Sequence, residues 1–169
     1  GMTALEPITR YTVGPIHAEL SWAGLVIGPL LAFFALFDLV PRLRDLTVEA
    51  CAGNGIEIKG GQRDSLVACR VRNTGMDGVV VEGGTQHRVV ACDIFDTGTA
   101  GLKIGGGDRK TLTPSGHEAL NNCIHDVSRR QRTHAYHVHL DGVGVRLAHN
   151  LLNDGPHQAI GLAGNDHVI

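Results

Sequence analysis

The chain has 169 residues, 43% of them hydrophobic and only 4% aromatic, with 23 glycines and a formal net charge of −2. Such a composition can bury a core and is not that of a disordered chain, and the near-neutral balance lacks the basic footprint that phosphate neutralisation requires, which excludes nucleic acid as a partner. Glycine stands at nearly twice the roughly 7% of an average protein but without a Gly-X-Y period, so collagen is excluded and an architecture of repeated tight turns is required.

The first element in chain order is apolar. From Leu20 to Phe37 there is no charge, and the run is closed by Asp38, Pro41, Arg42 and Arg44. Its length reaches the threshold for a membrane span, whereas Pro29 inside it and the lack of a following linker suit a buried element covering the end of a domain. Glu6 and Glu19 ahead of it, with no small-residue cleavage position after it, argue against a cleavable signal peptide. Residues 1–45 are therefore set apart as a capping segment, an anchor or aberrant sequence, with any membrane contact confined to residues 20–40.

The remainder, residues 46–169, is repetitive. Residues 48–61 read VEACAGNGIEIKGG, residues 71–84 read VRNTGMDGVVVEGG and residues 94–107 read IFDTGTAGLKIGGG, a period of 23 residues. Gly55, Gly78 and Gly101 align, as do the doublets Gly60-Gly61, Gly83-Gly84 and Gly106-Gly107. Between them Ile56-Glu57-Ile58, Val79-Val80-Val81 and Leu102-Lys103-Ile104 keep or approach the two-residue rhythm of a strand. Strands at a period in the low twenties, without a helical pattern, predict a β-solenoid whose equivalent strands stack in parallel about 4.8 Å apart. The register continues through Ile124-His125-Asp126 and Leu152-Asn153-Asp154, in the place of Ile94-Phe95-Asp96, and through Val138-His139-Leu140 and Ile160-Gly161-Leu162, in the place of Ile56-Glu57-Ile58. About five coils result, the last unfinished at Ile169, which implies a domain cut short.

Two columns follow from that register. Cys69, Cys92, Asn122 and Asn150 stack, so the asparagine amides would bond one another along the axis. Because stacked side chains point the same way, the cysteines are expected to remain reduced. No C-x-x-C pair suggests a zinc ribbon or a thioredoxin-type site. The neighbouring column is Asn73, Asp96, Asp126 and Asp154.

Runs such as NTGMDGVVVEGG resemble the right-handed parallel β-helix proteins of the pectate-lyase-like superfamily, over about Leu46 to Ile169. The later stretch, GGDRKTLTPSGHEALNN followed by GVGVRLAHNLLNDGPHQAIGLAGNDHVI, is similar to the β-helix region of bacterial carbohydrate-active proteins, including a glycoside hydrolase family with α-L-fucosidases and xylanases. The resemblance implies an all-β, right-handed single-stranded parallel β-helix, a polysaccharide or oligosaccharide partner and a secreted or otherwise extracytoplasmic protein, membrane anchoring through residues 20–40 being the alternative.

Chemistry is expected on the face where insertions collect. The longest loops run from Gly105 to His117 and from Ser128 to Ala135, and eight of the ten histidines lie from His117 onward. Counting two positions beyond Gly60, Gly106 and Gly164 gives Gln62, Asp108 and Asp166, which places Asp108 and Asp166 two coils apart, about 9 to 10 Å between backbones. That is within reach of the separation of the two carboxyl groups in an inverting glycosidase, one protonating the leaving oxygen and the other activating water. Turn aspartates also commonly bond their own backbone.

Arg109 and Lys110, beside Asp108, form a second constellation of the kind found in uronate lyases. His139, His125, Asp154 and His157 complete the candidate substrate-binding set, as imidazoles lining a polar face or capping turns. His137 and His139 have the two-residue spacing of metal ligands on one strand face, but no closed four-ligand pattern appears, so no metal or other cofactor is assigned. Calcium at the aspartate column lacks a specific motif. Three readings stand: a glycoside hydrolase-like protein or fragment of one, a uronate lyase on the same fold, and a non-catalytic glycan-binding or structural solenoid. The open edge of the last coil would also favour self-association.

Overall fold

The computed structural model describes residues 42–169, and the apolar stretch from Leu20 to Phe37 lies outside the described residues. The first coil is β1 (Arg42–Arg44), β2 (Thr47–Cys51) and β3 (Ile56–Lys59); the second is β4 (Ser65–Val67), β5 (Arg70–Thr74) and β6 (Val79–Glu82); the third is β7 (Arg88–Val90), β8 (Asp93–Phe95) and β9 (Leu102–Gly106). The fourth is β10 (Glu118–Leu120), β11 (Cys123–His125) and β12 (Tyr136–Gly142), and the fifth is β13 (Arg146–Ala148), β14 (Leu151–Asn153) and β15 (Gln158–Leu162). Every third strand belongs to the same sheet. Sheet A holds β1, β4, β7, β10 and β13, sheet B the second strand of each coil and sheet C the third, all in parallel. Among the described residues no helix is long and apolar enough to cross a membrane.

The stacking register is the one the repeats predict. Ile56 pairs with Val79, Val79 with Leu102, Leu102 with Val138 and Val138 with Ile160. On sheet B, Val71, Ile94, Ile124 and Leu152 stack in turn. Alternation sends one row each of sheets A and B and two rows of sheet C inward, so Leu66, Val89, Ala119 and Leu147 meet Val71, Ile94 and Ile124 and the paired rows of sheet C in a single core running along the axis. The coil begins at Arg42, a few residues before the boundary drawn from sequence. A three-residue strand with only Leu43 facing the core carries no alternation to recognise.

A triangular coil must turn three times, and each turn uses a left-handed residue. Between sheets A and B these are Asp45, Ala68, Ala91, Asn121 and His149; between B and C, Ala50, Asn73, Asp96, Asp126 and Asp154; between C and A, Arg63, Gln86, Gly116, Gly144 and Asp166, all with φ between 47° and 67°. The second of these rows contains the Asn/Asp column seen in the sequence. Asparagine and aspartate tolerate the left-handed region better than other side chains, which gives that column a conformational role.

The cysteine and asparagine column turns inward at the A-to-B corner and takes up main-chain groups that the corner frees. Asn122 Nδ2 donates to Val89 O at 3.0 Å and to Asn150 Oδ1 at 2.9 Å, while Asn122 Oδ1 accepts from Cys92 N at 2.9 Å. Cys69 and Cys92 are buried free thiols. Burial pushes the Cys92 thiol up to about 11, which makes it unreactive as a thiolate.

Candidate functional site

Sheet C has two outward-facing rows, in the first of which Val80 and Gly161 are themselves buried. One is Glu57, Val80, Lys103, His139 and Gly161, and the other is Lys59, Glu82, Gly105 and Asp141. Lys103 and Gly105 on β9, like His139 and Asp141 on β12, are two residues apart and therefore face the same way. Three coils thus bring a lysine, a histidine and two carboxylates onto one patch.

The second row has a gap at its centre. Glu82 and Asp141 flank Gly105, so their backbones stand two strand spacings apart, about 9.6 Å. A Cβ added at Gly105 would meet Asp141 Cβ at 3.6 Å and nothing nearer, an ordinary van der Waals contact. By contrast, a Cβ at Gly78 would strike Gly101 O at 2.5 Å and Ile94 Cγ2 at 2.6 Å. Gly55, Gly78 and Gly101 are therefore required by packing, while Gly105 leaves room above the sheet.

Lys103 is held in place from below. Its Nζ lies 2.7 Å from Oδ2 of Asp77, a carboxylate with only 6% of its side chain exposed. Asp77 Oδ1 accepts from Ala100 N at 2.9 Å and from the Thr99 hydroxyl. A buried carboxylate is tolerated when it is this fully paired, and the pairing fixes where the Lys103 ammonium group stands. Next to it, Tyr136 stacks on His139 with ring centroids 5.2 Å apart. Thr99, Lys103, Gln131, His134, Tyr136 and His139 line a cavity of about 350 Å³ beside this patch.

The insertion in the fourth coil forms the wall of that cavity. Ser128, Arg129 and Arg130 donate backbone N–H groups to Thr99, Thr97 and Gly98, each at 2.9 Å. Arg129 and Arg130 then reach back over the preceding corners, to Asn73 Oδ1 at 3.3 Å and Gly75 O at 3.0 Å. These two arginines of the sequence-predicted functional loop brace the fold.

The insertion in the third coil alters the arithmetic of the two aspartates. After Gly106 the chain leaves the coil, Asp108 bridges antiparallel to Thr113, and the coil resumes near Ser115, whose carbonyl accepts from Gln86 N. In the last two coils the corner is also one residue shorter, since Val143, directly after Gly142, pairs with Asn165. Asp166 therefore falls in the row of Arg63, Gln86, Gly116 and Gly144, and its equivalent in the third coil is Gly116 rather than Asp108. The sequence count failed because it carried a fixed offset across an excursion and a deletion. Asp108 is occupied locally: Lys110 N and the Thr111 hydroxyl donate to its two oxygens at 2.9 and 3.0 Å. Those bonds hold its carboxyl below the usual range.

The other candidate residues divide between faces. Arg109 reaches to 4.0 Å from Asp141 Oδ1, so its excursion borders the sheet C patch, and Lys110 lies exposed beside it. His157 faces His134 at 6.0 Å, near the cavity wall. Asp154 sits at the B-to-C corner bonded to Asn153 Nδ2 at 2.5 Å. His125 lies on sheet B, away from His139. His137 and His139 do not form a pair of metal ligands: His137 is buried, and its Nε2 bonds the Asn153 carbonyl at 2.9 Å. The two carboxylates that do share a row, Glu82 and Asp141, went unnoticed in the sequence. Their signal was present, since each stands three positions after the first aligned aliphatic of its repeat, Val79 and Val138.

Three parallel sheets wound round one apolar core, with charged and polar side chains on the outer face of sheet C, define a β-solenoid. The chain belongs to the right-handed β-helix family, whose model matches residues 40–169. No curated protein and no solved structure matches it.

Proposed function

We propose that this chain is a carbohydrate-active β-helix protein that hydrolyses glycosidic bonds of a polysaccharide laid across the outer face of sheet C. The observation that carries this reading is the row Glu82, Gly105, Asp141: two carboxylates two coils apart with an open position between them. Side chains leaning from backbones about 9.6 Å apart reach the roughly 6.5 to 9.5 Å that an inverting glycosidase needs to place a water between one carboxylate and the sugar. Asp141, with Arg109 Nη1 at 4.0 Å, takes the part of the base that activates water. Glu82, which makes no ion pair among the described residues, donates the proton to the leaving oxygen. Lys103 and His139 in the adjacent row hydrogen-bond sugar hydroxyls, and Tyr136 offers a ring face at the cavity. An extracytoplasmic location goes with such a substrate.

Reducing-sugar release from a panel of plant and bacterial polysaccharides tests this. Glu82→Gln and Asp141→Asn should each lower turnover by at least about a hundredfold, while Asp108→Asn and Asp166→Asn, the pair picked out by sequence counting, should retain it. Gly105→Leu should close the gap and abolish turnover with little change in the unfolding midpoint. Full turnover in the Glu82 and Asp141 variants would overturn the assignment. An unsaturated, ultraviolet-absorbing product would replace hydrolysis by lyase chemistry, and glycan binding without turnover would leave a binding solenoid.

A further inference from the structure

Sheet B, on a different side of the coil, carries a second cluster of ligating side chains. Asp93 opens β8 and Cys123 opens β11 directly beside it in register, with His125 two residues further along the same outward row. A carboxylate oxygen of Asp93, Cys123 Sγ and a ring nitrogen of His125 all lie within 4.8 Å of one another. Three ligands on a tetrahedral ion with bonds of about 2.0 to 2.3 Å stand roughly 3.3 to 3.8 Å apart, so small side-chain rotations would close this group around one ion.

A second observation concerns how His125 is held. Its Nδ1 lies 2.8 Å from Asp126 Oδ2 and its Nε2 lies 3.2 Å from Asp93 Oδ1. In the Nδ1–H tautomer Asp126 accepts from the ring and the Nε2 lone pair faces Asp93 and Cys123. A carboxylate orienting a histidine from behind is the outer shell found around metal-bound imidazoles. In that tautomer Nε2 and Asp93 Oδ1 are both acceptors, and a cation between them, a proton or a metal ion, offsets their repulsion. Arg70 Nε engages the other oxygen, Asp93 Oδ2, at 3.3 Å and leaves Oδ1 to the cluster. Phe95 stacks on the imidazole at 4.9 Å and 7°, which fixes the ring plane. Mixed nitrogen, sulfur and carboxylate donors suit a borderline transition ion rather than calcium or magnesium.

We propose that Asp93, Cys123 and His125 form a three-ligand site for a zinc-like divalent transition ion, with Asp126 as the positioning residue and a fourth coordination position open to solvent. The test is titration of the full 169-residue chain, reduced and metal-free, with Co²⁺ as a spectroscopic probe and Zn²⁺ as competitor. The expected result is one equivalent of Co²⁺ with a thiolate-to-metal charge-transfer band in the near ultraviolet, displaced by Zn²⁺. Cys123→Ser should remove the band, and His125→Gln and Asp126→Asn should each weaken binding tenfold or more. Absence of stoichiometric binding would leave His125 a protonated bridge between two carboxylates and overturn the proposal. A band that survives Cys123→Ser would do the same. Asp126→Asn, which keeps all three ligands, still decides the matter if a ligand variant fails to fold.

Discussion

From Val71 to Ile94 one coil takes 23 residues, and Cys69 and Cys92 fill the inner A-to-B corner; from Ile94 to Ile124 and on to Leu152 the coils take 30 and 28, and Asn122 and Asn150 stand where the cysteines stood. The geometry of the corner does not change, because the left-handed row continues through Ala68, Ala91, Asn121 and His149. What changes is the side chain that reaches the neighbouring strand carbonyls. Leu43 O and Leu66 O are each approached by a thiol at 3.6 Å, whereas Val89 O and Ala119 O accept from amides at 3.0 and 2.9 Å. The half that carries the insertions is thus the half with the stronger axial ladder. An excursion such as 107–114 interrupts the stacking of one corner, and a rigid opposite corner keeps the register of the sheet beneath it.

The largest effect is expected where that ladder is cut. Asn122→Ala would leave Cys92 N without its side-chain acceptor and take from Val89 O and Asn150 Oδ1 the amide that bonds them, in a buried corner. Buried unpaired groups cost about 1 to 3 kcal/mol each with partial relaxation, so a loss of about 3 kcal/mol is expected in urea unfolding. Loss of less than about 1 kcal/mol would show that the ladder follows the fold without supporting it.

A second contrast lies at the C-to-A corner, where His87 and His117 stack inside the coil with ring centroids 4.9 Å apart. Asp64 N donates to His87 Nδ1 at 3.2 Å and His87 N to His117 Nδ1 at 3.1 Å, so both rings act there as neutral acceptors. The charged and titratable groups facing this stack are Asp64 and the two imidazoles themselves. Burial first, and the neighbouring His87 second, lower the His117 pKa from 6.5 to about 4, and burial lowers that of His87 as well. The unfolded chain therefore binds protons that the folded chain refuses. His117 leaves stability intact above pH 6.5 and reduces it as the pH falls toward 4, by about 3 kcal/mol at about 1.4 kcal/mol per pKa unit. Asp64 works the other way, because burial raises its pKa above the unfolded value and protonation relieves a cost present at neutral pH. Urea unfolding between pH 7 and 4 should show the net decline, and His117→Gln should flatten it. A profile unchanged by that substitution would refute the assignment.

The fold was legible because identical spacings are a direct consequence of stacking: Gly55, Gly78 and Gly101 sit where a Cβ would strike the next coil, so the period is written in residues that cannot change. Two of the three corners were less visible. Only the C-to-A corner uses glycine doublets, while Ala68 and Ala91 between sheets A and B and Ala50 between B and C adopt the left-handed region despite a residue type that does not announce it. The candidate site was the least legible part. It depends on which side of an insertion the coil resumes, and the excursion from Gly107 to Pro114 shifts every later position relative to a simple count. The strand register of His139 is the one the repeats predict because it is set before the corner, whereas Asp108 lies beyond it.

The smallest effect runs in the stabilising direction and asks whether the weaker half can be given the chemistry of the stronger. The Cys69 N–H points at Cys92 Sγ, and that thiol in turn leans on Leu66 O at 3.6 Å. Asn122, one coil on, meets the same two demands with Oδ1 for Cys92 N and Nδ2 for Val89 O. Cys92→Asn should therefore extend the amide ladder by one rung, replacing two weak sulfur contacts with two hydrogen bonds and adding about 1 kcal/mol of stability. The urea midpoint should rise with no change in slope. A lowered midpoint would mean that the corner between Cys69 and Asn122 has room for sulfur but not for an amide, and that the two halves differ in corner width as well as in side-chain chemistry.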